Sequence, residues 1–131
     1  LAVGTPEGWT LHDSRTLPDD WATAAVPFAG GLAVGTYASG LALVGPSGVE
    51  PLAPALWVNA GALASTGSLL AAGVLDGGLF LHDATSTRTL GTPDGLPDAD
   101  VTDVIADGQA GLWVATRGGL AHVGPAPRAE E

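Results

Sequence analysis

The sequence predicts an all-β protein built from repeated strand–turn–strand units, and three observations lead to this prediction. One pattern occurs four times in 131 residues: an apolar stretch ending in a small residue, a polar turn closed by glycine, and a second apolar stretch. The second stretches alternate, as in Leu79-Phe80-Leu81-His82, which places every second side chain on one face of a strand. No window shows the 3.6-residue period that would favour helices.

The four units are predicted to be β-hairpins near residues 1–13, 32–44, 70–83 and 112–123. The first strand of each ends in a small residue: Gly4, Gly35, Gly73 and Ala115. The glycines that close the turns are Gly8, Gly40, Gly78 and Gly119. Glycine suits these turns because it adopts positive φ without strain. A lone hairpin is marginal in water, so several must pack together to bury their apolar faces.

A further strand is predicted before three of the hairpins, at residues 21–28, roughly 57–63 and 101–106. Each follows a proline-containing connection, and proline fits a connection better than a strand interior. A weak fourth strand is predicted after the hairpins, for example at 15–17 or 87–90. The small residues at positions 4, 35, 73 and 115 are 31, 38 and 42 residues apart, as in the blades of a β-propeller. The predicted fold is therefore about three to four four-stranded propeller blades.

Residues 95–123 resemble the two-component-regulator propeller repeat. That repeat has a Gly-Leu-Pro opening, a Val-x-x-Ile strand, an Asp-x-x-Gly-like turn, a Leu-Trp-x-Gly-Thr strand and a Gly-Gly-Leu strand. The fourth unit matches it with Ala115 in place of the usual glycine, the second and third units match in outline, and the first retains only the hairpin. The resemblance implies blades of a bacterial propeller of the kind found in sensor ectodomains. It favours a periplasmic or extracellular location.

The number of predicted strands indicates an incomplete ring. The blade array spans residues 1–123, beginning at the second strand of one blade and stopping after the third strand of another, and residues 124–131 have the composition of a tail. Closed propellers use about four to eight blades. An open arc exposes blade faces and strand edges, which favour association. We therefore expect missing blades or another protein chain to complete the ring.

Composition excludes several classes of partner. Fourteen acidic residues stand against four arginines, and the formal net charge of −10 repels nucleic acids and anionic lipids. The uncharged stretch 51–75 is long enough to span a bilayer. Its prolines, glycines and polar residues, and its place in the repeat, predict instead that it does not insert into a membrane. Cysteine is absent, so disulfides and thiolate metal sites are excluded.

The candidate ligand site lies at the starts of the predicted innermost strands. Trp21 and Trp57 open two of these strands, beside acidic residues and Asn59. In a propeller these loops line the mouth of the central channel, and aromatic planes beside carboxylates and amides suit sugars or cationic groups. The candidate residues are Asp19, Asp20, Trp21, Trp57, Asn59, Asp98 and Asp100. The alternative is that the tryptophans only cover the core.

Metal and catalytic chemistry are not predicted. The three histidines are His12, His82 and His122. They occupy similar repeat positions on different blades and so cannot converge within about 2 Å of one ion. The acidic run 98–103 lacks the other ligands of an EF-hand loop, so a solvated loop is expected there rather than calcium. Neither a nucleophile elbow nor a phosphate-binding loop is present, and no cofactor is expected.

These observations favour a non-enzymatic binding or scaffold module that mediates protein–protein interaction within a larger assembly. A ligand- or glycan-sensing ectodomain propeller of a bacterial signalling protein is the first alternative. In that case a small molecule or glycan would be the partner. A propeller-type lyase or hydrolase is the second alternative, which the missing catalytic constellation disfavours.

Overall fold

The computed structural model describes residues 1–5, 8–12, 15–17, 19, 21–53 and 55–124. These residues form antiparallel strands and a single 3₁₀ turn, Thr92–Asp94. No helix among them has the length and apolar character needed to cross a bilayer. The strands are β1 (Ala2–Thr5), β2 (Gly8–Leu11), β3 (Ala22–Phe28), β4 (Gly31–Thr36), β5 (Leu41–Gly45), β6 (Gly48–Ala53), β7 (Val58–Thr66), β8 (Leu69–Val74), β9 (Gly78–His82), β10 (Thr87–Leu90), β11 (Val101–Ala106), β12 (Leu112–Thr116) and β13 (Gly119–Val123).

The strands form four meanders in chain order, and this confirms the predicted all-β arrangement of blades. We name the sheets blade 1 (β1–β2), blade 2 (β3–β6), blade 3 (β7–β10) and blade 4 (β11–β13). Blades 2 and 3 have four strands each, whereas two strands of blade 1 and three of blade 4 are described. Each of the four predicted hairpins corresponds to an antiparallel strand pair.

The predicted strand at residues 15–17 is wrong, because these residues form a turn and a bend. The other suggested fourth strand, 87–90, is β10. The outer strand of blade 2, β6, contains Pro51, and the inner strand β3 contains Pro27. Both strands lie at an edge of their sheet, where a residue without an N–H group is tolerated. The predicted tail lies outside the described residues from position 125 onward.

The core lies between successive blades, where the face of one sheet packs against the next. Between blades 2 and 3 it contains Leu41, Val58 and Leu70, and between blades 3 and 4 it contains Leu79 and Val101 among others. All five of these side chains are fully or almost fully buried. Each interface therefore stabilises the array through apolar burial, which is the main favourable contribution to folding.

Two of the small repeat residues explain how closely the blades approach. A Cβ atom added to Gly35 would lie 2.6 Å from Cγ1 of Val58, at the start of β7. One added to Gly73 would lie 2.7 Å from Cγ1 of Val101, at the start of β11. These separations are shorter than carbon atoms can reach without strain. Glycine at this repeat position therefore leaves room for the first strand of the following blade.

A backbone hydrogen bond also recurs at each of these interfaces. The N–H group of Gly40 donates to the carbonyl oxygen of Leu56 at 2.9 Å. The N–H group of Gly78 donates to the carbonyl oxygen of Ala99 at 2.7 Å. The turn-closing glycines of blades 2 and 3 thus bind the chain just before the next blade begins. Blades 2, 3 and 4 follow one another with the same local geometry.

We predict that Gly73→Ala lowers the free energy of unfolding by about 1–3 kcal/mol, because the added methyl group overpacks the contact with Val101 and Ala62. Gly45→Ala is the matched control, since no atom lies within 4 Å of the Cβ position there. Both substitutions reduce the entropy of the unfolded chain, which by itself stabilises the protein slightly. Urea denaturation measures the difference, and equal stability of the two variants would contradict the packing argument.

Candidate functional site

Among the described side chains, the exposed large apolar ones fall into two groups on the surface, apart from Leu11. One group contains Trp21, Tyr37, Trp57 and Leu75, and the other contains Ile105, Trp113 and Leu120. The first group lies at the end of blades 2 and 3 where the inner strands begin, which we call the loop end. The second lies on one face of blade 4. Contiguous exposed apolar surface marks interaction sites more often than scattered single residues do.

The loop end is built by one backbone hydrogen bond that recurs in three blades. The N–H group of Tyr37 donates to the carbonyl oxygen of Trp21 at 3.0 Å. The N–H group of Leu75 donates to the carbonyl oxygen of Trp57 at 2.8 Å. In blade 4 the N–H group of Arg117 donates to the carbonyl oxygen of Asp100 at 3.1 Å. Each bond joins the residue at or next to the start of an inner strand to the residue just after the second strand. The repeat therefore fixes where these side chains emerge.

Three aromatic rings stack at the loop end. The ring centroids of Trp21 and Tyr37 are 4.4 Å apart with 14° between the ring planes. Those of Tyr37 and Trp57 are 4.9 Å apart with 29° between the planes. We call these three residues the aromatic stack. Because Trp57 precedes the first strand of blade 3 and the other two belong to blade 2, the stack bridges two blades.

The aromatic stack remains accessible to solvent. Trp21 is 62% exposed, Trp57 is 43% exposed and Tyr37, between them, is 39% exposed. Since Tyr37 covers one face of Trp21, this exposure leaves the other indole face open. Aromatic groups of this size are usually buried at least in part, and an open indole face is a surface on which a ligand ring can stack.

Asp19 positions the stack rather than offering a free carboxylate. Its Oδ1 atom accepts a hydrogen bond from the backbone N–H of Trp21 at 3.0 Å. Its Oδ2 atom accepts one from the N–H of Ala38 at 3.2 Å. The side chain thus joins the start of the inner strand to the loop that carries Tyr37. Asp20, which the sequence also indicated, lies outside the described residues.

The remaining candidate residues form a polar network between blades 3 and 4. The amide nitrogen of Asn59 donates to Oδ1 of Asp100 at 2.9 Å and to the carbonyl oxygen of Val101 at 2.7 Å. Asp98 accepts a hydrogen bond from the N–H of Asp100 at 2.8 Å. Nε of Arg117 lies 3.7 Å from Oδ2 of Asp100, which is only 5% exposed. These polar groups bind one another across the interface of blades 3 and 4. Their contacts therefore join two blades and are not part of the aromatic stack.

Tyr37 was not predicted as part of the site. It is the single tyrosine of the chain and directly follows the Gly35-Thr36 pair. Alignment of the repeats places Leu75 and Arg117 at the same position, so no shared residue type marks it. The useful signal was its spacing from Trp21, which matches the spacing of Leu75 from Trp57 to within two residues.

The histidines have three separate environments. The ring of His82 contacts the edge of Phe28, with 6.2 Å between centroids. The ring of His122 lies 4.6 Å from that of Trp113 and its Nε2 is 2.6 Å from Oδ2 of Asp107. Nδ1 of His12 lies 3.3 Å from the hydroxyl oxygen of Thr16. Across the described ranges, no three potential ligands among histidine, aspartate and glutamate are grouped to hold a metal ion.

The second exposed group forms what we call the terminal face of blade 4. Ile105, Trp113 and Leu120 are 57%, 46% and 65% exposed. Ile105 pairs across the strands with Trp113, and Ala115 pairs with Leu120, so all four side chains point to one side of the sheet. In blade 3 the residues at the positions of Trp113 and Leu120 are Ala71 and Leu79, and both are completely buried beneath blade 4.

Comparisons with known proteins bear on the fold. No protein-family model matches the sequence. No curated protein matches it either. Among solved structures, the chain is similar to the extracellular domain of BT4673 from B. thetaiotaomicron, a protein assigned as a hybrid two-component system, with a TM-score of 0.65 and 19% sequence identity. The similarity covers 87% of this chain and 16% of that one. At this identity it shows a shared fold for a small part of a longer domain.

We predict that His122→Ala raises the pKa of Asp107 toward its ordinary value. The hydrogen bond with His122 is the main reason that the pKa of Asp107 is lowered, and the N–H groups of Gln109 and Gly111 also contribute. Asp83 is the internal control, because hydrogen bonds from Thr85 and Ser86 lower its pKa and His122 takes no part. NMR titration of the carboxyl carbons measures both groups.

The sign of the effect on stability follows from the lowered pKa of folded Asp107. Its carboxylate stabilises the folded protein above the pKa of the unfolded chain, and this contribution is lost as pH falls through the lower folded pKa. In the His122→Ala variant the folded pKa lies closer to the unfolded value, so this contribution is smaller and its loss is complete at a higher pH. An unchanged pKa of Asp107, or an equal rise for Asp83, would contradict the assignment.

Proposed function

We propose that this chain is a blade segment of the ligand-sensing extracytoplasmic propeller of a bacterial two-component signalling protein. The observation that carries the proposal is the exposed aromatic stack at the loop end. The fold likeness to an extracellular domain of a two-component protein and the resemblance of residues 95–123 to the regulator propeller repeat both support it. The same support favours a sensing role over a purely structural scaffold role.

The aromatic stack is suited to a neutral sugar ring. The open indole face of Trp21 carries the negative side of the ring quadrupole, which attracts polarised C–H groups of a pyranose as well as cations. The chain carries a formal charge of −10, which disfavours anionic ligands but not neutral ones.

Contacts within the protein fix the geometry of the stack. Tyr37 is held between two indole rings, and the backbone bond to Trp21 and the carboxylate of Asp19 fix its loop. A ligand that stacks on Trp21 therefore does not have to order these side chains. Prior ordering reduces the entropic cost of binding.

We predict that a neutral oligosaccharide raises the melting temperature of the chain and that Trp21→Ala removes this effect. Loss of one stacking contact should weaken binding by about 3- to 10-fold. Trp113→Ala is the matched control, because it removes an exposed tryptophan on the terminal face and leaves the stack intact. A panel of neutral, cationic and anionic saccharides in thermal-shift and calorimetric titrations supplies the measurement.

Two results would count against sensing at the aromatic stack. One is the absence of a shift with every saccharide class. The other is equal weakening by Trp21→Ala and Trp113→Ala, which would indicate a general loss of stability rather than loss of a contact.

A second candidate function is assembly, and the terminal face favours it. The equivalent faces of blades 2 and 3 are each covered by the following blade, and no described residue covers the face of Trp113 and Leu120. We infer that its occupant is another blade-type sheet that extends the array, contributed by further blades or by another protein chain. An exposed apolar sheet face of this kind favours such association.

We predict that the isolated chain has an apparent mass above its 12.9 kDa in light scattering, because the terminal face drives association. Trp113→Glu should restore a monomer, since a charge would have to be buried in the contact. Trp21→Glu, at the loop end, should leave the association unchanged. A stable, well-folded wild-type monomer would contradict this second function without touching the first.

A further inference from the structure

Blades 2 and 3 enclose a cleft far from the loop end, which we call cleft A. It has a volume of about 500 Å³ and is lined by Phe28, Leu43, Leu52, Glu50 and His82 together with the turns at residues 67–68 and 84. Strand β3 runs from the aromatic stack to Phe28 over seven residues, each rising about 3.3 Å. Cleft A therefore lies roughly 20 Å from Trp21.

The walls of cleft A are mostly apolar, and among the described residues that line it the one acidic side chain is that of Glu50. Within the described part of the chain, the carboxylate of Glu50 forms no hydrogen bond or ion pair. It lies on the exposed strand β6, directly across from Leu43. A ligand with a positive charge would supply the partner that Glu50 lacks, while its apolar part contacts Phe28 and Leu43.

His82 adds a second polar group to cleft A. Its Nδ1 atom is buried and has no hydrogen-bond partner. The imidazole ring of His82 is among the groups that line the cleft.

The repeat provides a second cleft in the same chain, where an arginine occupies the position that Glu50 has in cleft A. Blades 3 and 4 enclose cleft B, with a volume of about 330 Å³, which is lined by Leu81, Arg88 and Asp83 among others. Arg88 pairs across the strands with Leu81 as Glu50 pairs with Leu43, so the two occupy the same position of the repeat. Asp83 accepts hydrogen bonds from Thr85 and Ser86, which engage its carboxylate within the turn.

We propose that cleft A is a binding site for a small cationic amphiphile, an ammonium group attached to an aromatic or branched apolar body. The volume lies within the range of ligand pockets in proteins. Glu50 supplies the counter-charge, Phe28, Leu43 and Leu52 contact the apolar body, and the net charge of −10 concentrates cations near the surface. The site is separate from the aromatic stack and does not depend on the proposed sensing function.

Two probes with the same ring and opposite charge test the proposal: tryptamine and indole-3-acetate. Titrations of the full chain are followed by the NMR shifts of its backbone amides. We expect tryptamine to shift the amides of Ser68 and Ala84, which line cleft A, and to bind more tightly than indole-3-acetate. Shifts at Ala110 report cleft B, and shifts at Ala38 report the loop end.

Variants of cleft A separate the charge from the apolar contact. Glu50→Gln should weaken tryptamine binding about two- to fivefold, the range expected for an exposed ion pair, and Glu50→Lys should reverse the preference between the two probes. Ala84→Trp should block the cleft to both. Trp113→Ala, on the terminal face outside both sites, should leave the affinity for tryptamine unchanged. Shifts at Ala38 distinguish binding at the loop end from binding at cleft A, so failure at cleft A and failure of the sensing site give different results.

Three outcomes would overturn the proposal. Tryptamine shifts confined to Ala38 or Ala110 would place the cation elsewhere. Equal affinity of the wild type for the two probes would show that Glu50 does not select charge. Unchanged tryptamine binding in Glu50→Gln, with the variant folded as judged by its urea midpoint, would remove the carboxylate from the site.

Discussion

The close approach of one blade to the next is the constraint on which the rest of the structure depends. It occurs where Gly35 faces Val58 and where Gly73 faces Val101, and neither glycine could carry a side chain without moving the following strand. This spacing brings Gly40 within hydrogen-bonding distance of Leu56. It also places the ring of Trp57 against Tyr37 of the preceding blade. The aromatic stack is therefore a consequence of blade packing as much as of its own three residues.

The backbone geometry repeats from blade to blade, but each interface between blades has different side chains. At the loop end, the interface of blades 2 and 3 joins aromatic rings, whereas the interface of blades 3 and 4 joins Asn59, Asp100 and Arg117. At the opposite end, Glu50 in cleft A corresponds to Arg88 in cleft B. Since the strands and hydrogen bonds repeat while these side chains do not, specific binding must come from the side chains at repeat positions rather than from the fold.

The sequence allowed the hairpins and inner strands to be predicted because their signals are local. A turn glycine and an alternating strand lie within about a dozen residues, and β11 begins and ends where the pattern indicated. The prediction of a strand at residues 15–17 was wrong because Leu17 lies in a bend, where it is buried with Val34 and Val44 of blade 2. An apolar residue indicates burial without specifying strand geometry. The position of Tyr37 in the aromatic stack and the hydrogen bond between Asn59 and Asp100 could not be predicted from the sequence, because both depend on contacts between blades.

Blade 4 departs from the packing constraint on the side that would meet a following sheet. Ala115 replaces the glycine found at positions 35 and 73, and Trp113 replaces the alanines at positions 33 and 71. A strand that approached Ala115 as Val101 approaches Gly73 would collide with the added methyl group and with the indole ring beside it. A sheet on the terminal face must therefore stand farther away, or present glycine or alanine where the internal blades present valine. The residues that distinguish this face from those of blades 2 and 3 therefore restrict which sheet can cover it.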